Sequence, residues 1–426
     1  MNILFLTLVQ FNSLNERGIY TDLLREFTKH GHNVCAISPT EKRQNKPTCM
    51  VKEKNAKILR LQIGNTQKTK VVKKGISTVL IEPQYKVAIK KYFSDVKFDL
   101  VLYSTPPITL VGAIEYVKKR DKAKTYLLLK DIFPQNAVDI GLMSTRGLKG
   151  LLYKHFRKQE KKLYAISDRI GCMSQANVDY VLNHNVEVKQ RNDTAMKSTG
   201  KPVVEVCPNS IEPIDMRISI EERKQLRDKY NIPQDKIVFV YGGNLGKPQG
   251  IPFMLECLDS QKANEQVYFL IIGSGTEYHL IEEYIKKNRP DNIALYNTLP
   301  KDDYDHLVAA CDVGMIFLDY RFTIPNFPSR LLSYMQAKLP VLAVTDTNTD
   351  IGNVITGIDK NGIKVHDPFG WRCWSNDSDE FNDNVKYVCK CEMEQYSDNV
   401  YDYLRTNYTV KLSYNIIMKG FEANRR

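Results

Sequence analysis

Residues 323–344 read TIPNFPSRLLSYMQAKLPVLAV, and the order of residue types in that stretch decides the fold class. Pro325 and Pro328 make a turn. Ser329 stands where a helix N-cap belongs, with Arg330 in the first turn. Leu331, Leu332, Met335 and Ala337 give the helix an apolar side, Lys338 ends it and Pro340 stops it. VLAV then reads as a short buried strand. Turn, helix and strand in that order make one αβ unit. A helix mouth with free N–H groups beside an arginine suits an anion, most naturally phosphate. An ordinary capped helix has the same pattern, so the other loops of the chain must decide.

Working outward, the same unit recurs. IVFVYGGNLGKPQG (237–250), VYFLIIGSGTEYHLIEEYI (267–285) and NIALYNTLPKDDYDHLVAACDVGMIFL (292–318) each give a strand, a loop bearing Gly or Pro, and a helix or strand that follows. The first half opens alike: a strand from Asn2, a helix entered at Gly18 with Ile19, Leu23, Leu24 and Phe27 on its apolar side, a stop at Gly31, then VCAIS. FDLVLYSTPP (98–107), TYLLLKDIFPQN (125–136), SDRIGCMS (167–174) and VVEVCPNSIEP (203–213) continue it. The expectation is α/β, with two doubly wound domains meeting near Asn209, Ser210 and Pro213. Their bounds are 1–207 and 208–405. One last helix, Tyr401–Phe421, packs across both, with about 406–426 returning to the first. Residues 41–98 read as irregular and lysine-rich. The first loop has a single glycine, so the GxGxxG fingerprint of dinucleotide enzymes is absent.

A chain of 426 residues has room for two or three domains, each with a full core. No apolar run reaches the roughly 20 residues that span a bilayer. MNILFLTLVQFNSL lacks a positive flank and reads as a first strand, not a signal peptide. Nine scattered cysteines fit a reducing compartment, hence a cytoplasmic protein, and Cys389 with Cys391 has no matching cluster for a metal. The net charge of +12 is lopsided. Residues 1–207 hold 36 Lys and Arg against 18 Asp and Glu, a net of +18, which leaves −6 for the remainder. Only the first half should therefore meet something anionic. Within it, 68–93 mixes Lys68, Lys70, Lys73, Lys74, Lys90 and Lys91 with Val, Ile and Phe, and 148–165 is a long basic amphipathic helix. Either is an ordinary solvated face or a surface for anionic lipid. Aromatic residues are not interleaved as a stacking platform needs, which disfavours nucleic acid.

Small or charged groups gather at the carboxyl ends of the strands. In the second half these are Gly242, Gly243, Gly246 and Lys247, then Gly273, Ser274 and Gly275, then Ser329 and Arg330. If the strands are parallel neighbours, the loops converge on one edge that suits a diphosphate. In the first half, Lys130, Asp131 and Gln135 follow the strand ending at Leu129, and Asp131 is the best-placed carboxylate, with a turn cap as its plainer role.

GGNLGKPQG, IIGSG, NTLPKDDYDHLVAACDVGMIFL and PSRLLSYMQAKLPVLA resemble the donor half of family 4 glycosyltransferases. KDIFPQN and the GH of KHGHNV resemble the branch that builds bacterial O-antigen and capsule, including N-acetyl-L-fucosamine transferases. The resemblance implies the GT-B fold of two facing Rossmann-like domains and transfer with retention of configuration. It also implies a nucleotide-sugar donor, UDP by preference, and neither a metal nor any other cofactor. Gly243, Asn244, Lys247, Gly273, Ser274, Gly275, Ser329, Arg330 and Ser333 would face the donor, with Leu299 and Pro300 as the shelf for its base. Lys247 and Arg330 would meet the charge of the leaving diphosphate, while Asp131 would orient or deprotonate the acceptor hydroxyl. Arg17, Gly18, Asp131 and Gln135 would contact the acceptor, a lipid-linked sugar on undecaprenyl diphosphate at the inner face of the cell membrane.

The chain also departs from that pattern. Pro325 and Ser333 stand where the family commonly has two glutamates, and Asn244 and Gln249 where it has an arginine and a lysine. Two other functions stay open. An epimerase of the same fold needs acid/base partners, for which His30, His32 and His279 are the available histidines. A catalytically inactive binding subunit needs only the loops.

Overall fold

The computed structural model describes residues 1–65, 71–185, 188 and 201–422, leaving aside the side chains of 71–78, 148 and 422. The chain divides into two units, Met1–Glu212 with Val410–Arg426, and Pro213–Thr409. The first unit begins with β1 (Asn2–Leu6), α1 (Ile19–Lys29), β2 (Asn33–Glu41), β3 (Cys49–Glu53), β4 (Ala56–Ile63) and α2 (Val71–Tyr92). Next come β5 (Leu100–Ser104), α3 (Val111–Asp121), β6 (Lys124–Leu129), α4 (Gln135–Asp139) and α5 (Gly147–Ile166). β7 (Arg169–Cys172), α6 (Gln175–His184) and β8 (Val203–Val206) close its sheet. The second unit holds α7 (Ile220–Lys229), β9 (Ile237–Asn244), α8 (Ile251–Ser260), β10 (Val267–Ser274), α9 (Tyr278–Asn288) and β11 (Ile293–Tyr296). After these come α10 (Lys301–Ala309), β12 (Val313–Phe317), α11 (Arg330–Gln336), β13 (Val341–Thr345) and α12 (Ile351–Thr356). β14 (Gly370–Trp374), α13 (Ser378–Val388) and α14 (Glu394–Asn407) finish that unit, and α15 (Val410–Glu422) returns to the first.

Both sheets are the parallel, doubly wound kind. The first runs β3-β4-β2-β1-β5-β6-β7-β8, with only the β3–β4 hairpin antiparallel. The second runs β11-β10-β9-β12-β13-β14, parallel throughout. LVLYS of β5 and VLAVT of β13 are buried along their whole length, as strands covered on both faces must be. In the first unit α1 and α15 are neighbours, and Phe27, Val410, Ile417 and Met418 share a core with Ile3, Phe5, Leu100 and Leu102. α2, α3 and α5 form a second run of neighbouring helices.

Residues 41–98 are more regular than expected. The hairpin β3–β4 and the 22-residue helix α2 occupy most of the segment. Ile81, Tyr85, Ala88 and Ile89 are buried at helical spacing, which Pro83 and the lysines disguise. Lys68 and Lys70, and the side chains of Lys73 and Lys74, lie outside the described residues. The expected single C-terminal helix is two. α14 stops at Asn407, α15 starts at Val410, and the Val410 amide instead donates to the Ile211 carbonyl (3.0 Å).

In both units the chain reverses its winding beside a central strand. β9 lies between β10 and β12, and β1 lies between β2 and β5. Ligands of doubly wound sheets bind outside the strand carboxyl ends at such switch points. In the second unit the switch is braced by Tyr334 of α11. Its phenol accepts the Gly242 amide (3.1 Å) and donates to the Met315 carbonyl (3.0 Å), tying α11 to β9 and β12. Gly314 leaves room for the ring, since a Cβ there would lie 2.4 Å from Tyr334 Cγ. Tyr334→Phe therefore strands a buried donor and should cost about 1–3 kcal/mol, measured as a lower midpoint for the second unit in urea denaturation.

Candidate functional site

The β9 and β10 strand ends meet closely. Their register continues past the apolar strand to pair Gly273 with Gly243 and Ser274 with Asn244. A Cβ on Gly273 would lie 1.9 Å from the Gly243 carbonyl oxygen, so only glycine fits. Gly243 has φ +126, a backbone that side-chain-bearing residues rarely adopt. The β11 loop joins the pair, for the Thr298 hydroxyl donates to Ser274 Oγ (2.9 Å). Leu299 follows, half-buried, and Pro300 is the N-cap of α10. Across the switch point, the Asp319 amide donates to the Pro248 carbonyl (3.1 Å), which fastens the β12 loop to the β9 loop. All four loops thus lie on one edge of one sheet.

Arg330 reaches that edge from α11. Its guanidinium lies over the Tyr241 ring, 4.2 Å from the centroid, and about as close to the Cβ position of Gly243 (3.6 Å). Among the described residues, Nη1 is buried without a hydrogen-bond partner. A stacked, permanently charged fork with an unused N–H next to a glycine loop is suited to an anionic oxygen. The Tyr241 hydroxyl in turn donates to the Asn244 carbonyl (2.7 Å), so one ring both carries the cation and shapes the loop.

The helix mouth contributes less than the sequence suggested. α11 has only seven residues, and Ser329 itself has helical angles (φ −67, ψ −15) with no capping hydrogen bond from its side chain. The chain enters through tight turns, with the Leu331 and Leu332 amides donating to the Pro328 and Ser329 carbonyls. The cation, more than the helix end, makes the seat. Ser333 is half-buried one turn beyond Arg330. Lys247 is half-buried in a short 3-10 turn, and among the described residues its ammonium forms no ion pair. Asn244 and Gln249 bond to each other: Asn244 Nδ2 donates to Gln249 Oε1 (2.7 Å), which also accepts the Gly246 amide (3.2 Å). A neutral clamp shapes the loop at the two positions where family 4 commonly has an arginine and a lysine. Gly275 follows Ser274 at the β10 end.

In the first unit, Thr105 Oγ1 accepts the Lys130 amide (2.9 Å) and the Asp131 amide (3.3 Å), fixing the end of β6 against that of β5. Among the described residues the Asp131 carboxylate has no hydrogen-bond or ion-pair partner, and burial pushes its carboxyl up to about 6. It lies near enough to α1 for its charge to act on the Tyr20 phenol. Gln135 is engaged, donating to Asp139 (2.7 Å) and accepting from the Tyr153 hydroxyl (3.2 Å). The Gly18 amide is also taken, by Asp22 Oδ1 (3.2 Å), and Arg17 beside it is half-buried. His30 and His32 pack on Tyr414 of α15, with the His30 ring 4.0 Å from it and His32 Nε2 3.0 Å from its hydroxyl. Sequence reasoning missed Tyr241 and Tyr334, because a tyrosine's partners are set by tertiary neighbours that no local spacing encodes.

The start of α5 presents an unusual surface. Leu142, Leu151 and Leu152 are 60, 63 and 50 % exposed, with Arg146, Lys149 and Lys154 exposed around them. Phe133 and Phe156 pack edge to face (5.1 Å) and, with the Gln135–Tyr153 bond, tie this tip to the segment that follows Asp131. Among the described residues no helix is long and apolar enough to cross a membrane.

Residues 222–402 match the family model described as Glycosyl transferases group 1. A Pseudomonas aeruginosa protein described as a probable glycosyltransferase, WbjE, is 25% identical over 315 residues, 74% of this chain and 72% of that one. Among solved structures, trehalose-6-phosphate from E. coli bound with UDP-2-fluoro glucose superposes with a TM-score of 0.71 at 12% identity, over 98% of each chain. WaaG, a glycosyltransferase involved in lipopolysaccharide biosynthesis, superposes with a TM-score of 0.62 at 13% identity, over 97% of this chain and 99% of its own. The fold is that of the GT-B glycosyltransferases, and the four converging loops lie within the segment that matches the group 1 glycosyltransferase model.

Proposed function

We propose that the chain is a retaining glycosyltransferase that moves a hexosyl unit from a UDP-sugar to a lipid-linked acceptor in bacterial surface-polysaccharide synthesis. The observation that carries this reading is Arg330, stacked on Tyr241 above Gly243 with a buried N–H unused. As the glycosidic bond breaks, the departing nucleotide diphosphate gains negative charge, and a cation already fixed in place stabilises it without reorganising. Lys247 supplies a second, mobile charge. Two supports come from similar proteins: UDP-2-fluoro glucose is bound in one structure of the same fold, and WaaG acts in lipopolysaccharide biosynthesis. The resemblance to O-antigen and capsule enzymes makes an N-acetylated amino sugar such as N-acetyl-L-fucosamine the first donor to try. With His30 and His32 engaged on Tyr414 and His279 exposed, an epimerase has little acid/base equipment here.

The acceptor falls to the first unit, where the Asp131 carboxylate would orient or deprotonate the attacking hydroxyl. Its lipid is reached from the cytoplasmic leaflet. The leucines at the α5 tip would enter the headgroup layer, with each nearby Lys or Arg adding about 1 kcal/mol on anionic lipid.

Purified protein should transfer sugar from one of a panel of UDP-sugars to a sugar on a lipid diphosphate. Conversion of the donor without acceptor would instead indicate an epimerase, and binding without turnover an inactive subunit. Lys247→Ala should lower kcat/KM by about 10- to 100-fold, read by product formation. If Asp131 works as carboxylate, kcat falls about tenfold per pH unit below 6, and Asp131→Asn loses activity at every pH. In flotation, the protein should rise with vesicles containing phosphatidylglycerol and not with pure phosphatidylcholine. Leu151→Glu with Leu152→Glu should abolish that binding while leaving the melting temperature unchanged.

A further inference from the structure

Lys130 has no part in the reaction as described above, yet its position is costly. It follows β6 directly, and its amide is held by Thr105 Oγ1 together with that of Asp131. Its side chain is half-buried and, among the described residues, makes no hydrogen bond or ion pair. The groups whose charge it feels are the Cys172 thiol at the end of β7 and the Cys207 thiol after β8, both themselves buried. Neither is an anion at neutral pH, since burial raises both thiols. Burial brings the ammonium down to about 8. On the same strand-end segment as Cys207, Asn209 is 8 % exposed and, among the described residues, its Oδ1 is buried without a partner.

An unpaired ammonium and an unpaired carboxylate therefore follow β6, and an orphan amide oxygen follows β8, on the two sides of β7 in one sheet. Folded proteins rarely keep desolvated charges unpaired unless a ligand completes them. Core packing does not explain Lys130 either, since a methionine would fill the same space without an ammonium to desolvate.

We propose that Lys130 is an acceptor-binding residue that pairs with an anionic oxygen of the acceptor, a diphosphate oxygen of the lipid linkage, beside the hydroxyl handled by Asp131. This rests on the glycosyl-transfer reading and adds what the acceptor must carry: negative charge close to its reacting sugar. Asn209 Oδ1, beyond β7 at the end of β8, would accept from another sugar hydroxyl.

The test compares two acceptor probes of one N-acetylhexosamine, its decyl diphosphate diester and its neutral decyl glycoside, using the full chain and the best UDP-sugar. The wild type should prefer the diphosphate. Lys130→Met should raise KM for the diphosphate probe about tenfold or more, with kcat and the neutral probe little changed. The diester keeps its charge from pH 6 to 10, so the wild-type preference should fall as the pH passes 8 and Lys130 loses its proton. Lys130→Arg stays charged and should keep the preference through pH 9, which decides the matter even if the methionine variant folds poorly. Equal losses on both probes, or no change on either, would overturn the assignment and leave Lys130 a structural residue. Wild-type protein that transfers to neither probe would overturn the glycosyl-transfer reading itself, and this assignment with it.

Discussion

The second unit depends on one backbone contact, the approach of Gly273 to the Gly243 carbonyl. Parallel pairing of β9 and β10 normally ends with the apolar strand, leaving the following loops to diverge. Here the register continues through Gly243–Gly273 and Asn244–Ser274, so two loops leave the sheet as a paired surface. Any side chain on Gly273 would part them. The β11 loop is then bonded to Ser274 and the β12 loop to Pro248, each through a single hydrogen bond. Convergence at the edge is thus a consequence of sheet register, and it requires no ligand to gather the loops.

Charge at this edge is arranged economically. Where the family pattern has an arginine and a lysine, Asn244 and Gln249 form a neutral amide clamp, which leaves no like-charge repulsion within the loop. The permanent cation comes from another element, Arg330, whose face lies on Tyr241 and whose Nη1 has no hydrogen-bond partner among the described residues. Stacking on an aromatic ring costs the guanidinium none of its donors, in contrast to an ion pair with a carboxylate. The site therefore keeps an N–H available for an incoming anion while the side chain stays fixed. On the proposed reading, Lys247 would complement it as a flexible point charge that follows the departing diphosphate.

Much of this was visible in the sequence, and the reason is periodicity. Buried parallel strands such as LVLYS and VLAVT are continuous apolar runs, and the glycines between strand and helix mark their own loops. α2 escaped because Pro83 and a scatter of lysines hide a buried spacing that is plain at Ile81, Tyr85, Ala88 and Ile89. The break between α14 and α15 escaped for a different reason. Tyr408 and Thr409 are not helix breakers, and the helix yields there because Val410 bonds to Ile211 instead. Ser329 illustrates the converse error: the residue type suited a cap, but a chain arriving already in helical turns gives its hydroxyl no amide to cap. Asp131 and Arg330 could be picked out from their positions after strands. Tyr241 and Tyr334 could not, since their roles exist only once α11 lies against β9.

The two units hold charge in physically different ways, and the difference bears on how each would work. In the second unit the fixed cation is a guanidinium, which stays charged at any working pH. In the first, burial moves Lys130 down to about 8 and Asp131 up to about 6, so the gap between an ordinary lysine and an ordinary carboxylate shrinks from both sides. Both are charged together only between those values. Adjacent opposite charges would usually relieve such desolvation by pairing, but the shared anchor on Thr105 Oγ1 holds both backbones while the side chains stay unpaired. On the proposed reading, the donor seat would be insensitive to pH and the acceptor seat confined to a neutral window, and only the acceptor has a proton to give up.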